Sequence, residues 1–353
     1  MTPRFRIDHN KSTRQHINKF CDRLNDIRSH EISDKSYQQK YFQYLVSNKK
    51  YFIALYAFVL DTIIEHSIKA PDQITLLDCG AGNGLLGIFA KFCGFKQVYI
   101  NDSDNHFLES AKKLSSKLGI VMDGFIWGDI SHIKEDIKPL NIDAIAGTDV
   151  IEHIYTLEKF FALLQHVNPD IISVFSTASN PYNYLKKKEI TRIQLKDEFI
   201  GGKSNDSPLS GPKPLAPFLK IREGIIKEKY QSISDAELKE LASLTRGMIK
   251  EDVLIAAQEY LTKKTWPLSI KHPTNTCNPL DGSWSERLLT LQEYNSIYKD
   301  QGFSLSMKNG FYNEHQNGIK DFALYIFNTI IKYFPSFGKY FSPFILLIGK
   351  RTQ

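Results

Sequence analysis

One run of the chain constrains its fold more than any other: Leu76-Leu-Asp-Cys-Gly-Ala-Gly-Asn-Gly-Leu-Leu-Gly87. A short apolar stretch ends on an acid, Asp78. Glycines follow at 80, 82 and 84, and a helical apolar pattern opens near Leu85. Glycine takes positive φ without strain and lets backbone pass close to a ligand. A helix start behind such a turn offers N–H groups with no partner inside the helix. The run therefore predicts strand, ligand-binding turn and helix. Its second half, Gly82-Asn-Gly-Leu-Leu-Gly87, also spells GxGxxG, with Asp102 twenty residues beyond Gly82, as a dinucleotide site would have it. Two features oppose that reading. Dinucleotide glycines follow the strand directly, whereas Asp78-Cys79-Gly80 intervenes here. An acid at the strand end would also face a pyrophosphate, and it suits a cationic ligand better.

The surrounding texture predicts the fold. Short apolar runs stand at Ile74–Leu77, Gln97–Ile100, Gly124–Trp127, Ile142–Ala146 and Ile171–Phe175. Helical patterns lie between several of them, at Leu85–Phe92, Asn105–Leu118 and Leu157–Val167. Such alternation predicts a parallel sheet covered on both faces. Two late runs, Phe303–Phe311 and Phe344–Ile348, bring the expected sheet to seven strands, with a helix over Leu291–Gln301 before them. The expected class is α/β: a seven-stranded, Rossmann-like, doubly wound sheet with N-terminal helices and a helical insertion after strand five. The expected organisation is an N-terminal helical extension over 1–70, a cofactor-binding core over 71–182, an insertion over 183–275 and a C-terminal completion over 276–353. Within the extension, Tyr41 to His66 carries apolar residues at spacings of three and four, and Pro71 ends it. The Gly-, Ser- and Pro-rich stretch Gly201–Pro214 reads as a loop. Ser234-Asp-Ala-Glu237 reads as a capping box starting a helix to about Arg246, with another over Lys250–Lys263.

The glycine run resembles motif I of the class I S-adenosylmethionine-dependent methyltransferases, Asp-x-Gly-x-Gly-x-Gly, with Asp78, Gly80, Gly82 and Gly84 in its places. Tyr99-Ile-Asn-Asp102-Ser103 resembles the family's acidic ribose site, where one carboxylate accepts from both hydroxyls. Trp127-Gly128-Asp129-Ile130 is similar to the third motif, whose acid meets the adenine amino group. Ile142 to His153 resembles the fourth strand and its loop, which implies a cofactor contact for Asp149. Ser176 to Asn183 resembles a Ser-Thr-Pro-Asn-Pro turn with Ala178-Ser179 replacing the single Pro. The resemblance implies S-adenosylmethionine as cofactor and methyl transfer as the reaction.

Methyl transfer chiefly needs alignment, because the sulfonium is already activated. A hydroxyl acceptor also needs a base. His153, after strand four, and His272, at the end of the insertion, are the candidates, and each also reads as an ordinary structural histidine. Asp149, Glu152 and His153 stand at i, i+3 and i+4, and would share a face if helical. The run resembles the Glu-x-x-Glu-His of metal-dependent RNA 2′-O- and quinone-biosynthesis O-methyltransferases, but Asp replaces the first Glu, and the expectation is that no metal is used. Trp284, Glu286 and Arg287 could contact a sugar or phosphate by stacking and by a guanidinium fork. The alternative is a capped loop around a buried Trp. This segment, His272 to Arg287, is loosely similar to methyltransferases of bacterial glycan and natural-product biosynthesis. The expected partner is accordingly a small-molecule or glycan acceptor. An RNA acceptor is disfavoured by the lack of a basic-aromatic stripe. A non-catalytic binding protein is the third reading.

Composition adds exclusions. The net charge of +6 over 353 residues is mild and the hydrophobic share of 42% is that of a globular chain. Cys21, Cys79, Cys93 and Cys277 are widely separated, so neither a disulfide framework nor a zinc site is expected. Met1–Arg14 is polar and basic, unlike a secretory signal. The apolar stretches Tyr51–Ile64 and Phe322–Ile331 are too short to span a bilayer. A cytoplasmic protein is expected. The aromatic-rich stretch Phe322–Phe344, with lysines among its rings, reads as a helix packed on the sheet, as a membrane-surface helix giving weak association, or as a greasy pocket.

Overall fold

The computed structural model describes residues 13–130, 132–202, 216–314 and 319–352. Its contacts divide the chain into two compact units. One comprises Met1–Ile151, Leu157–Thr177 and Gln292–Gln353, the other Glu152–Thr156 and Ala178–Leu291.

The first unit holds the sheet. Its strands are β1 (Thr75–Cys79), β2 (Gln97–Asp102), β3 (Gly124–Trp127), β4 (Ala144–Thr148), β5 (Ile172–Thr177), β6 (Phe303–Asn309) and β7 (Ile345–Arg351), in the order β3-β2-β1-β4-β5-β7-β6. Pairing is parallel from β3 through β5, whereas β7 runs antiparallel to both β5 and β6. Every residue of β1 and β5 is buried, as expected of central strands covered on both faces. This is the seven-stranded Rossmann-like sheet that the alternating texture predicts, with the last two strands forming an antiparallel edge.

Around it stand α1 (Ile17–Arg23), α2 (Ser29–Ile32), α3 (Ser36–Ser47), α4 (Lys49–His66), α5 (Leu85–Phe92), α6 (Asn105–Lys117), α7 (Lys134–Ile137) and α8 (Leu157–Val167). Helix α4 is buried almost continuously from Leu55 to Ile64, so it is a core helix with no solvent stripe. Its buried acid, Asp61, is 2% exposed and holds the start of the described chain: it accepts from Thr13 N at 2.7 Å and Thr13 Oγ1 at 2.9 Å and pairs with Arg14 at 3.3 Å. The helices before Pro71 share one hydrophobic cluster with β1, β2, β4, β5 and β7. The stretch 1–70, expected as an extension, is thus in its described part a wall of the core.

The second unit contains α9 (Tyr184–Phe199), α10 (Phe218–Lys229), α11 (Asp235–Leu244) and α12 (Lys250–Lys263), followed by the irregular stretch 264–291. Ser234 caps α11 in the expected box with Glu237. Ile225, Ile226, Leu241, Val253 and Tyr260 give the unit its own apolar core. A buried polar network lies beside it. Arg222 is fully buried, pairs with Glu198 and donates through Nε to Ala242 O at 2.8 Å. Thr276 Oγ1 donates to Glu198 at 2.7 Å, and Gln194 donates to Asn275 Oδ1 at 2.8 Å. These bonds tie 274–276 to α9, so the unit runs on to Leu291, beyond the expected insertion end at 275. The glycines at 201 and 202 take positive φ, but residues 203–215 of the expected Gly-Ser-Pro loop lie outside the described residues.

Two helices complete the first unit after α13 (Leu291–Asp300): α14 (Ile319–Tyr333) and α15 (Pro335–Gly338), between β6 and β7.

Candidate active site

The turn between β1 and α5 is left-handed at each of its glycines, with φ of +61° at Gly80, +54° at Gly82 and +74° at Gly84. A Cβ would also collide at each position, 2.6 Å from Val150 at Gly80, 2.9 Å from Tyr41 at Gly82 and 2.8 Å from Ala111 at Gly84. Backbone conformation and close packing therefore both select glycine here. Gly84 is the N-cap of α5 and has no side chain to cap it. Asp78 does this from the end of β1: its Oδ2 accepts from Gly87 N, the third amide of the helix, at 2.7 Å. Burial pushes the Asp78 carboxyl up to about 8, while the Gly87 bond and neighbouring Asp102 act in opposite senses.

Asp102 ends β2 at 8% exposure. It accepts from Gly82 N at 2.8 Å and Asp104 N at 2.9 Å, one amide on each oxygen. A carboxylate offers roughly four acceptor sites, so both oxygens keep capacity for a hydroxyl. Burial raises its proton affinity, and the backbone amides offset this in part. Ser103 O accepts from Trp127 Nε1 at 3.0 Å, and Asn101 donates to Ile126 O at 3.0 Å and Gly128 O at 2.9 Å. These bonds join the ends of β2 and β3. Gly128 has φ of +137°, Ile130 is buried, and Asp129 has a side chain 58% exposed. Asp149, after β4, is exposed with φ of +53°, and its amide donates to Ser176 O at 3.0 Å.

The N-terminal helices bring groups to this turn that the motifs do not indicate. Tyr41 of α3 lies against Gly82. Burial raises its phenol well above the usual range, with Asp149, Asp102 and Asp78 close enough to contribute. Tyr51 of α4 is raised by burial and Asp149 in the same way. Gln38 donates to Asp104 at 3.0 Å. The one sequence signal for them is aromatic density in α3 and α4, which packing would produce equally.

The second unit holds the remaining candidates. His153 Nδ1 is 2.7 Å from Trp284 O, which fixes the tautomer with the proton on Nδ1 and leaves the Nε2 lone pair available. Nε2 lies 3.8 Å from Glu286, whose other oxygen accepts from Ser179 Oγ at 3.2 Å. Glu286 itself sits at φ of +51°, an uncommon conformation for a residue with a side chain. His272 is placed differently. Its Nδ1 accepts from Thr274 N at 3.3 Å and Asn275 N at 3.1 Å, so the ring caps a turn. Trp284 is 5% exposed, stacked on Tyr155 and covered by the Arg287 guanidinium at 4.3 Å. Its indole N–H donates to Tyr155 O at 3.1 Å. The geometry is that of a buried Trp organising a loop, with its ring contacts made inside the unit rather than offered to a sugar.

The helical face imagined for Asp149, Glu152 and His153 does not form. Asp149 is left-handed, the following residues make a turn, and α8 begins only at Leu157. Among the described residues, no group of His, Cys, Asp and Glu is arranged to hold a metal.

No protein-family model and no curated protein matches this chain. Among solved structures, it is similar to an S-adenosylmethionine-dependent methyltransferase from Mesorhizobium loti, at 11% identity and TM-score 0.39 over 83% of this chain and 98% of that one. A methyltransferase of the same description from Clostridium acetobutylicum matches at 11% identity and TM-score 0.43 over 95% and 99%. Geranyl diphosphate methyltransferase in complex with S-adenosylmethionine matches at 10% and TM-score 0.40 over 92% and 94%. The strand order β3-β2-β1-β4-β5-β7-β6 makes the fold Rossmann-like. Its carboxyl-end turns, after β1, β2, β3 and β4, carry the acids and glycines that the motifs single out, and this is the edge where open α/β sheets bind ligands.

Proposed function

We propose that the protein is an S-adenosylmethionine-dependent methyltransferase acting on a hydroxyl of a small molecule, sugar or glycan intermediate. The observation that carries this reading is Asp102. It is buried at the end of β2, it orients the Gly82 amide of the left-handed turn, and it retains acceptor capacity on both oxygens. A vicinal diol such as a ribose suits that acceptor pair. Asp78, with the glycines at 80, 82 and 84, shapes the turn beside it, and Asp129, an exposed acid after β3, meets the adenine amino group in this reading. Asp149, Ser103, Gly128 and Ile130 complete the proposed cofactor contacts. When bound, S-adenosylmethionine supplies the activated methyl group.

His153 is the general base in this reading. The Trp284 carbonyl holds Nδ1 protonated, so Nε2 takes the acceptor proton, and Glu286 stands within ion-pair distance of the imidazolium that results. Trp284 and Arg287 shape the loop that carries these groups. His272 is a turn cap in the same unit. Acceptor choice resides in the second unit and cofactor use in the first.

Calorimetry with S-adenosylmethionine and S-adenosylhomocysteine tests the cofactor assignment. Saturable binding is expected, and Asp102→Ala should weaken it by about 1.5–3 kcal/mol, as for a lost hydrogen bond to a charged group. Tight binding of NAD without response to either sulfur ligand would overturn it.

A further inference from the structure

Helix α14 is amphipathic in the wrong sense. Its inward face has Asn328 and Ile331 buried and Leu324 and Phe327 half-buried, so it includes a polar residue. Its outward face, Phe322, Tyr325, Ile326 and Tyr333, carries large rings and branched carbon, with Phe322 67% and Tyr333 66% exposed. Positions three, four and seven apart share one side of a helix, so this is one continuous stripe. Phe334 and Phe337 extend it into α15. A soluble helix ordinarily hides such a stripe and wets its polar side.

The surface is held in place. Asn328 accepts from Tyr312 N at 2.7 Å and donates to Tyr312 O at 3.0 Å, docking α14 on the segment after β6. Asn309 donates to Pro335 O at 2.7 Å, and Gly338 is so close to Ile331 that a Cβ would lie 2.7 Å from its Cα. Stacking of Phe327 on Phe341 and packing of Phe337 on Phe341 link the two helices. The outward rings are therefore presented by a folded scaffold.

Charge identifies the occupant. From Ile319 to Gly349 the charged residues are Lys320, Asp321, Lys332 and Lys339, three lysines to one acid, and Lys332 and Lys339 carry the two amines beside the exposed rings. Each amine lies over a neighbouring tyrosine ring, at 4.9 Å from Tyr333 and 5.3 Å from Tyr340. Exposed phenylalanine, tyrosine and isoleucine with lysines beside them is the composition of a helix lying in a bilayer interface. At 15 residues α14 is about 22 Å long, short of the about 30 Å of a hydrocarbon core. No described helix is long and apolar enough to cross a membrane.

We propose that the outward face of α14 and α15 docks the protein, in plane, on an anionic lipid surface. The contact is peripheral: rings enter the headgroup boundary while the positive charge of Lys332 and Lys339 draws the face to anionic headgroups.

Co-sedimentation of the purified full chain with phosphatidylcholine vesicles, and with vesicles containing phosphatidylglycerol, tests this, alongside light scattering. The chain should pellet with the anionic vesicles and much less with the neutral ones. Phe322→Ser with Phe337→Ser should lower partitioning on the order of tenfold per ring. Lys332→Gln with Lys339→Gln, which leaves the apolar surface intact, should abolish the preference for anionic lipid, at about fivefold per charge. No pelleting with either vesicle overturns the proposal, as does pelleting that neither variant changes. A dimer in solution that the Phe pair dissociates, with no vesicle binding, would assign the face to a second copy of the chain instead.

Discussion

Replacing Gly84 by alanine separates two demands that the glycine turn places on one residue. At φ of +74° any side chain is strained, by about 1–2 kcal/mol. In addition, the new methyl would lie 2.8 Å from Ala111 Cβ and 2.9 Å from Ile100 Cδ1, where α5 meets α6 and β2. Overpacking of this kind costs about 1–3 kcal/mol, so Gly84→Ala should destabilise by roughly 2–5 kcal/mol. Gly94→Ala is the control. Its φ is +90°, but nothing lies within 4 Å of the added carbon, and only the strain of about 1–2 kcal/mol should register. Chemical denaturation followed by circular dichroism reads both. Ile100→Val removes one colliding atom and should recover part of the loss in the double variant, although alone it costs about 0.5–1.5 kcal/mol. Equal destabilisation by Gly84→Ala and Gly94→Ala, or no coupling to Ile100, would refute the packing argument and leave backbone conformation as the sole reason for the glycine.

Asp78→Asn keeps an acceptor for Gly87 N and removes a carboxyl whose value is raised from 3.8 to about 8. A raised acid favours the native state at low pH and loses that advantage as pH climbs to the folded value. The variant should therefore gain on the wild type between about pH 4 and pH 8, by up to about 1.4 kcal/mol per pH unit, and a pH-independent difference in denaturation free energy would contradict the burial argument. Glu198→Ala leaves the Arg222 guanidinium buried without its carboxylate and should cost about 3–5 kcal/mol in thermal or chemical unfolding; a loss under 1 kcal/mol would mean that water reaches the site. His272→Ala should cost about 1–2 kcal/mol of stability with turnover retained, whereas His153→Ala, which loses the bond to Trp284 O, should cost about 1 kcal/mol of stability and abolish most of kcat; turnover lost with the first and kept with the second would exchange their roles. Activity should survive EDTA, and complete loss restored by Mg²⁺ or Mn²⁺ would show a metal requirement.

Local chemistry made the glycine turn legible. Gly80, Gly82 and Gly84 announce left-handed backbone because few other residues accept it, and Asp78 and Asp102 stand at the carboxyl ends of short strands. Seven strands were readable for a similar reason: six are short, largely apolar runs between turn residues, and β6 alternates apolar and polar residues. Helix α9 was not. Its buried face carries Gln194 and Glu198, while Leu185, Leu195 and Phe199 are exposed, so apolar periodicity has no signal there. Its polar groups are satisfied by Arg222, Asn275 and Thr276, residues distant in sequence.

The sequence alone determined the alternation of strands and helices, the place of the turn and the residue types within it, because these depend on neighbours a few positions apart. Tertiary structure decided what each side chain meets. It put Tyr41 against Gly82, gave Asp102 two backbone amides, committed the His272 ring to a turn and left Nε2 of His153 facing Glu286. It also turned the aromatic stripe of α14 outward. Contacts of this kind join residues tens to hundreds of positions apart, and no local pattern encodes which of several apolar or polar surfaces will be covered when the chain closes.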